Sequence, residues 1–428
     1  MKLSKILAVA GLAMLVSCST VDTNIREYGK GKTKTKTTTS TEISDKSNNE
    51  ILGNEDYRKD VFDRSHRKIN KDLKGVWVAT VVNLDFPKTR GANLQKQEID
   101  EIVSNVKSWG MNAIFLQIKP SAGVFYKSKT LPWSEYLTGV EGKNPGYDPL
   151  EYFIEVAHKN GIELHAWINP YRVSMKNNLN SASSKNIGVL HPEWTFEYEG
   201  KLYLNPAKKG VVEYLYNSIE EVVTNYDIDG VHLDDYFYPY PIGGKKLPNF
   251  DYADYNKVSN KYNSIGDFRR ENVNSLIKNL SVSVHKLKPH ISFGVSPFGI
   301  WRNKKSDYRG SNTNGLAAYD DLYADVLKWM SEEWIDYVAP QVYWKIGNER
   351  ADYKTLVEWW NNKAKQTNTP LYIGEGIYKV EEPEKWDWPE NEVKKHSIIR
   401  RANYSVNGYV IFRYGTLNDN RHLIDEIE

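Results

Sequence analysis

Cysteine is nearly absent: Cys18 is the only one in 428 residues, so no disulfide can form within the chain. Neither sign of charge is in excess. With 57 basic and 55 acidic side chains, no global field calls for nucleic acid as a partner. Long apolar runs are missing apart from residues 6–16, which are too few to span a membrane. No Gly-rich phosphate turn follows the first expected strand, which weighs against an open, doubly wound sheet. No His-x-x-x-His pair or Cys cluster occurs, so metal chemistry has little to build on.

Aromatic side chains are plentiful, with 13 Trp and 29 Tyr. Their flat faces suit stacking on sugars where they stand at strand ends, and core packing elsewhere. At the N-terminus, Met1-Lys2-Leu3-Ser4-Lys5 gives a positive start to the apolar run, which is the pattern of a secretory signal. The run ends Leu15-Val16-Ser17-Cys18, which resembles the bacterial lipobox, where the Cys becomes the lipidated first residue of the mature protein. Residues 1–17 are therefore expected to be a signal peptide and Cys18 to carry lipid such as palmitate, anchoring an exported protein to the cell envelope. Ser19, rather than Asp, favours the outer membrane in a Gram-negative cell, by resemblance to the known sorting habit. Residues 18–72 have no sustained apolar period and include the alternating Lys32-Thr33-Lys34-Thr35-Lys36-Thr37. Such a segment lacks the apolar content to fold, and a disordered tether is expected.

From residue 73 onward β-branched runs alternate with helix-period segments. Strands are predicted over 76–82, 113–118, 162–168, around 229–236, and over 291–295, 335–342, 371–373 and 408–412. Helices are predicted between them over 95–109, 149–160, 209–226, 268–287, 319–333, 353–366 and 390–403. Eight such units in one chain point to a single α/β domain over 73–428, a closed (β/α)8 TIM barrel.

The stretch Asp229-Gly230-Val231-His232-Leu233-Asp234-Asp235-Tyr236 is its centre. Strand alternation puts Val231 and Leu233 on one side and His232, Asp234 and Tyr236 on the other. In barrels of this type the C-terminal strand ends carry the active site. Polar residues stand at the other ends too: Asp85, Gln117 with Lys119, Asn169 with Arg172, Ser296, Gln341 with Tyr343, Glu375 and Arg413. Buried strands should be apolar, so polar residues there need a use. A mouth of Asp, Glu, Arg, Gln, Tyr and Trp suits a hydroxyl-rich polymer.

Several motifs occur in order: Lys74-Gly75-Val76-Trp77-Val78-Ala79-Thr80, Leu164-His165-Ala166-Trp167-Ile168-Asn169-Pro170-Tyr171-Arg172, His191-Pro192-Glu193-Trp194, the stretch 229–240, Ser296-Pro297-Phe298-Gly299-Ile300-Trp301-Arg302-Asn303, and 335–344. Together, over residues 73–415, they resemble the bacterial glycosyl-hydrolase-like ten family. The resemblance implies an exported glycoside hydrolase, often a lipoprotein, in a family that includes a divisome-localised glycosidase acting on peptide-free peptidoglycan strands. Peptidoglycan or a related glycan, the membrane and cell-division proteins are the partners it implies; no cofactor is. Lys119 departs from the expected Arg, keeping the charge but losing the bidentate fork.

Glycoside cleavage needs two carboxyl groups. Asp234 is the first candidate for nucleophile or base. The run 229–234 is similar in spacing to the fourth strand of α-amylase-type barrels, where Asp-Gly-x-Arg-x-Asp ends in the nucleophile; here His232 replaces the Arg. Asp235 is expected to point off the barrel axis and to support Asp234. The proton donor is open between Glu375, set between two glycines, and Asp85, flanked by Leu84 and Phe86, whose apolar side chains would raise its pKa. Expected substrate contacts are His232, Tyr236, Lys119, Asn169, Gln341, Tyr343 and Trp344, with Trp301 and Arg302 lining the groove and Arg172 meeting a lactyl carboxylate. Two other classes stay open: a glycan-binding lipoprotein without activity, and a metal-dependent hydrolase or deacetylase using His232, Asp234, Asp235 and His165.

Overall fold

A computed structural model describes residues 63–243 and 246–428. The expected signal peptide, lipidated Cys18 and most of the expected tether lie outside the described residues. Among those described, eight parallel strands close into a barrel in which each strand lies beside its sequence neighbours and the last returns to the first. They are β1 (Leu73–Val78), β2 (Ala113–Lys119), β3 (Glu163–Ile168), β4 (Gly230–Leu233), β5 (Ser292–Val295), β6 (Tyr337–Val338), β7 (Leu371–Glu375) and β8 (Val406–Ile411). Helices α1 (Ala92–Ser108), α2 (Pro149–Lys159), α3 (Lys209–Asn225), α4 (Ile265–Leu287), α5 (Val326–Ser331), α6 (Tyr353–Thr367) and α7 (Glu392–Ala402) form the outer layer. The chain is a TIM barrel, as its alternating pattern predicts.

Local chemistry explains these elements. In α1, Ile99, Ile102, Val103 and Val106 recur at helical spacing and are buried. Helix α2 starts where the Asp148 carboxylate accepts from the backbone N–H groups of Leu150 (3.1 Å) and Glu151 (3.2 Å), with Pro149 pre-set for the first turn. Alternation then sorts each strand. Val76, Val78, Ile114, Leu116, Val231 and Leu233 face the helices, while Trp77, Phe115, Trp167 and Tyr337 belong to a separate, largely aromatic cluster inside the barrel. Two glycines make room for rings there. A Cβ on Gly230 would lie 2.3 Å from His165 Nδ1, and one on Gly294 would lie 2.2 Å from the Tyr337 ring.

Four differences from the sequence reading have physical causes. β1 ends at Val78 because the chain turns at Val82 and Asn83, both with positive φ, and brings the Asp85 carboxylate back onto the Ala79 N–H at 2.9 Å. The helix expected over 319–333 is broken into Ala318–Asp321 and α5 by Tyr323 at φ 56°; its buried hydroxyl accepts from Arg269 at 3.0 Å. Pairing of β6 gives way to single bridges from Gln341 to Phe298 and Gly374 after Pro340, which has no N–H to offer the ladder. Residues 64–68, assigned to the tether for want of an apolar period, dock on the barrel floor: Arg64 donates to the carbonyls of Asn368 (2.8 Å) and Ile335 (2.7 Å), and Lys68 pairs with Asp229.

One sheet was not expected. In the β3–α3 connection, Arg172–Ser174, Lys201–Leu204 and Thr195–Tyr198 form a three-stranded antiparallel sheet. Its hairpin turns at Glu199 and Gly200, both with positive φ (51° and 71°), which suits a two-residue loop between twisted strands. The sheet supports the β4 loop, since the Tyr198 hydroxyl accepts from the Ile242 N–H at 3.0 Å and Phe196 stacks on Phe250.

Candidate active site

At the C-terminal end of β4, Asp234 is buried and held by three donors. The Trp167 indole N–H (3.0 Å) and the Asn169 amide (3.1 Å) reach Oδ2, and the Tyr236 backbone N–H (3.2 Å) reaches Oδ1. Burial raises its carboxyl above the ordinary carboxylate value, while Arg172 and these donors pull it back down. Asp235 does not point away as alternation predicts, because the strand has already ended at Leu233. Its carboxyl, also buried, accepts from the Tyr240 hydroxyl and meets the Gln341 amide, which donates to the Ser296 carbonyl at 2.9 Å. Burial, then the charge of Asp234, push it up to about 8. Two adjacent carboxyls in unlike surroundings are thereby split, one anchored by donors and one kept protonated near neutrality.

Cations border the pair. Arg172 stacks over the Tyr236 ring at 4.7 Å, gives Nη1 to the Pro120 carbonyl at 3.1 Å and is held from below by the Asn169 side chain, which accepts from its backbone N–H. Lys119 is fully buried and donates to the Ser121 carbonyl at 3.0 Å; burial and Arg172 push it down to about 7 against the pull of Asp234. Tyr343 lies near Asp235 and stacks on Phe412, with its hydroxyl pKa pushed well up by burial. Tyr240, Phe298 and Trp344 meet edge to face, leading from Asp235 to the half-buried Trp344.

Five expected site residues sit elsewhere. His232 has no exposed surface: Nε2 accepts from the Trp77 indole (3.3 Å) and contacts Ser296 Oγ (2.9 Å), which leaves Nδ1 to donate to the Tyr337 hydroxyl (3.0 Å). Burial pushes its pKa well below 6.5, so it is a neutral brace under the mouth, out of reach of a substrate. Glu375 turns to the helix layer, where it accepts from Tyr353 (2.5 Å), Arg400 (2.7 Å) and His396 (2.9 Å). Those cations hold its carboxyl below the usual range, the opposite of a proton donor. Asp85 pairs with Arg413 and accepts from the Gly415 N–H at 2.9 Å, stitching the ends of β1 and β8 together. Trp301 is buried against Tyr319 and Trp359, and Arg302 is paired with Asp320 (2.9 Å) and Asp307 (3.1 Å), so neither lines the mouth.

A model of the family described as glycosyl hydrolase-like 10 matches residues 72–390. The chain belongs to the glycosyl hydrolase-like 10 family. Glycosyl hydrolase YngK of Bacillus subtilis (strain 168) is 44% identical over 358 residues, covering 82% of this chain and 70% of the relative. Glycosyl hydrolase DigH of Escherichia coli (strain K12) is 38% identical over 373 residues, covering 82% of this chain and 84% of the relative. Among solved structures, the catalytic domain of the β-amylase from Paenibacillus polymyxa matches with a TM-score of 0.52 at 12% identity, over 81% of this chain and 94% of that one, a likeness of fold alone. The chain is thus an enzyme related to glycosyl hydrolases.

Within this glycosyl hydrolase-like 10 barrel, sequence reasoning missed Trp167 and Tyr240. Trp167 shares a strand face with Asn169, two residues on, so alternation was enough to aim both at Asp234. Tyr240 reaches Asp235 through a loop whose path no periodicity encodes. Among the described residues, no three His, Cys, Asp or Glu side chains are grouped so as to hold a metal ion.

Proposed function

We propose that this enzyme hydrolyses O-glycosyl bonds of a cell-envelope glycan, peptide-free peptidoglycan strands being the substrate. Asp234 acts as nucleophile or base and Asp235 as proton donor. The observation that carries this is the split pair: Asp234 oriented by three donors, and Asp235 beside it, pushed up to about 8. A glycosidase needs that division of labour between two carboxyls. Arg172 stands beside the pair, where its remaining N–H groups would meet the lactyl carboxylate of a peptide-free muramic acid. Tyr236, Gln341, Tyr343 and Trp344 would hold sugar hydroxyls and rings, while Asn169 positions both Arg172 and Asp234 and Lys119 lies buried beside them.

The test is release of soluble sugars, followed by mass spectrometry, from peptidoglycan either intact or stripped of its peptides. Release from stripped strands alone, lost in Asp234→Asn, is expected. Glycan that is bound but never cut would replace hydrolysis with binding. The pH profile follows from the two carboxyls. Asp234 must be ionised, so kcat/KM rises with pH through its raised value; Asp235 must be protonated, so kcat/KM falls as pH climbs through about 8. A rate still rising above pH 9 would remove Asp235 from the donor role.

We further propose export and lipid anchoring at Cys18, supported by the lipobox-like run 15–18 and the positive start before it. Cys18→Ala is expected to abolish labelling by a palmitate analogue and to move the protein out of the membrane pellet. A wild-type protein that takes up no label would end the anchor reading, and with it the proposed outer-membrane location and any work beside division proteins.

A further inference from the structure

Outside the mouth, an open groove of about 480 Å³ runs between the long β5 loop and the outer face of α6. The loop begins at Ser296, against His232, and supplies Lys304, Tyr308, Arg309 and Asn312; the helix supplies Glu358, Trp359, Asn362, Lys363 and Gln366. None of these residues takes part in holding Asp234 or Asp235.

Three features of the lining define an occupant. No Leu, Ile, Val or Met side chain lines it; its apolar surface comes from aromatic rings and the stems of long polar side chains, a mixture that suits a sugar's two-sided chemistry. Lys304 and Lys363 face the single carboxylate Glu358, while Arg309 is already paired with Asp307 at 2.7 Å. Burial, then the charge of Arg309, lower the Lys363 pKa against the pull of Asp307, and a bound anion would favour its charged form. Two aromatic rings line it, and Lys363 Nζ lies over the Trp359 ring at 5.6 Å. Tyr308 is 85% exposed at the rim, and Trp359 is backed by the buried Trp301 at 6.0 Å and fixed by donating its indole N–H to the Arg309 carbonyl at 2.9 Å. Aromatic rings, amide donors and two lysine charges in one groove are complementary to a carboxylated sugar chain.

We infer that this groove is a second saccharide site, which holds an acidic segment of the glycan while the Asp234 centre works on another part of the same polymer. The inference rests on the proposed glycan substrate for its biological ligand. The carboxylated-sugar chemistry of the groove stands apart from it.

The test uses the full chain carrying Asp234→Asn, so that binding is read without cleavage, with and without Tyr308→Ala and Lys363→Gln together. Tyr308 is exposed and Lys363 half-buried at the groove, and circular dichroism with thermal melting checks that the fold is kept. Retention is measured on peptide-free peptidoglycan strands, on the same strands with carboxyls reduced to alcohols, and on polygalacturonate. Loss of one stacking face and one charge is expected to weaken retention on the native strands about three- to tenfold. Reduced strands are expected to bind the unaltered groove as weakly as native strands bind the variant. In the active enzyme, the two groove changes are expected to leave turnover of a small aryl glycoside unchanged. Equal retention by variant and parent on both acidic polymers would overturn the inference, as would undiminished binding of the reduced strands. Groove-dependent binding of polygalacturonate alone, by a protein that neither binds nor cuts peptidoglycan strands, would uphold the groove and overturn the substrate.

Discussion

Asp234→Asn is expected to abolish cleavage of polymeric and activated substrates alike, whereas Asp235→Asn spares the activated ones. The asymmetry follows from what each carboxyl holds. Asp234 is aimed by Trp167, Asn169 and the Tyr236 N–H, so its amide variant keeps the shape but loses the charge that must attack or activate water. Removing a group of that kind costs on the order of ten-thousand-fold or more in kcat whatever the leaving group. Asp235 is needed only to protonate a poor leaving oxygen. Its loss costs about 100- to 10,000-fold on a natural glycan, or about 3 to 5.5 kcal/mol of barrier, and little on an aryl glycoside whose phenolate leaves unaided. The measurement is kcat/KM for both substrate types in both variants, with the alkaline limb near pH 8 vanishing in Asp235→Asn. Equal losses on both substrates in Asp235→Asn would assign it a positioning role under Asp234 instead.

Much of the scaffold was legible because its signals are periodic. Helix α1, strand β2 and helix α6 fall within a few residues of where apolar spacing puts them, and eight alternations left little choice but a closed barrel. The losses came where tertiary demands outweigh local pattern. Val81 and Val82 read as strand, yet the chain turns there to return Asp85 to Ala79. The small sheet over the mouth was hidden in a polar connection whose strands have three or four residues each, too short to show alternation.

At the site, the strand-end rule found Asp234, Asn169, Arg172 and Gln341 near one another, but it could not say which polar residue faces inward. For Glu375 the information was present. Ile373, two positions earlier, packs in the helix layer, and alternation carries Glu375 to the same side. For Asp85 it was not, since its partner Arg413 lies at the far end of the domain and is brought close only by closure of the barrel. The flanking Leu84 and Phe86 suggested desolvation, but an ion pair answers it.

Glu375→Gln then separates a stabilising residue from a chemical one. Glu375 sits in a buried cluster with Arg400, His396 and Tyr353; the His396 ring lies flat on Tyr353, and its other nitrogen faces Glu392 at 3.4 Å. The glutamine keeps the shape and an acceptor for Tyr353 but leaves the Arg400 guanidinium without its counter-charge. Breaking a buried pair in this way costs about 3 to 5 kcal/mol, a large part of the stability of one domain. The expected result is a sharply lower denaturant midpoint with kcat preserved in the folded fraction. The pH dependence fixes the sign. Glu375 has a lowered folded pKa, so its contribution is present above the ordinary value of 4.5 and lost as pH falls through the folded one. His396 has a raised folded pKa, so its share is full below 6.5 and lost as pH rises through the folded one. The gap between wild type and variant should therefore be widest between those two values and persist in part at higher pH through Arg400, which stays charged. A variant as stable as wild type but inactive would return Glu375 to the reaction.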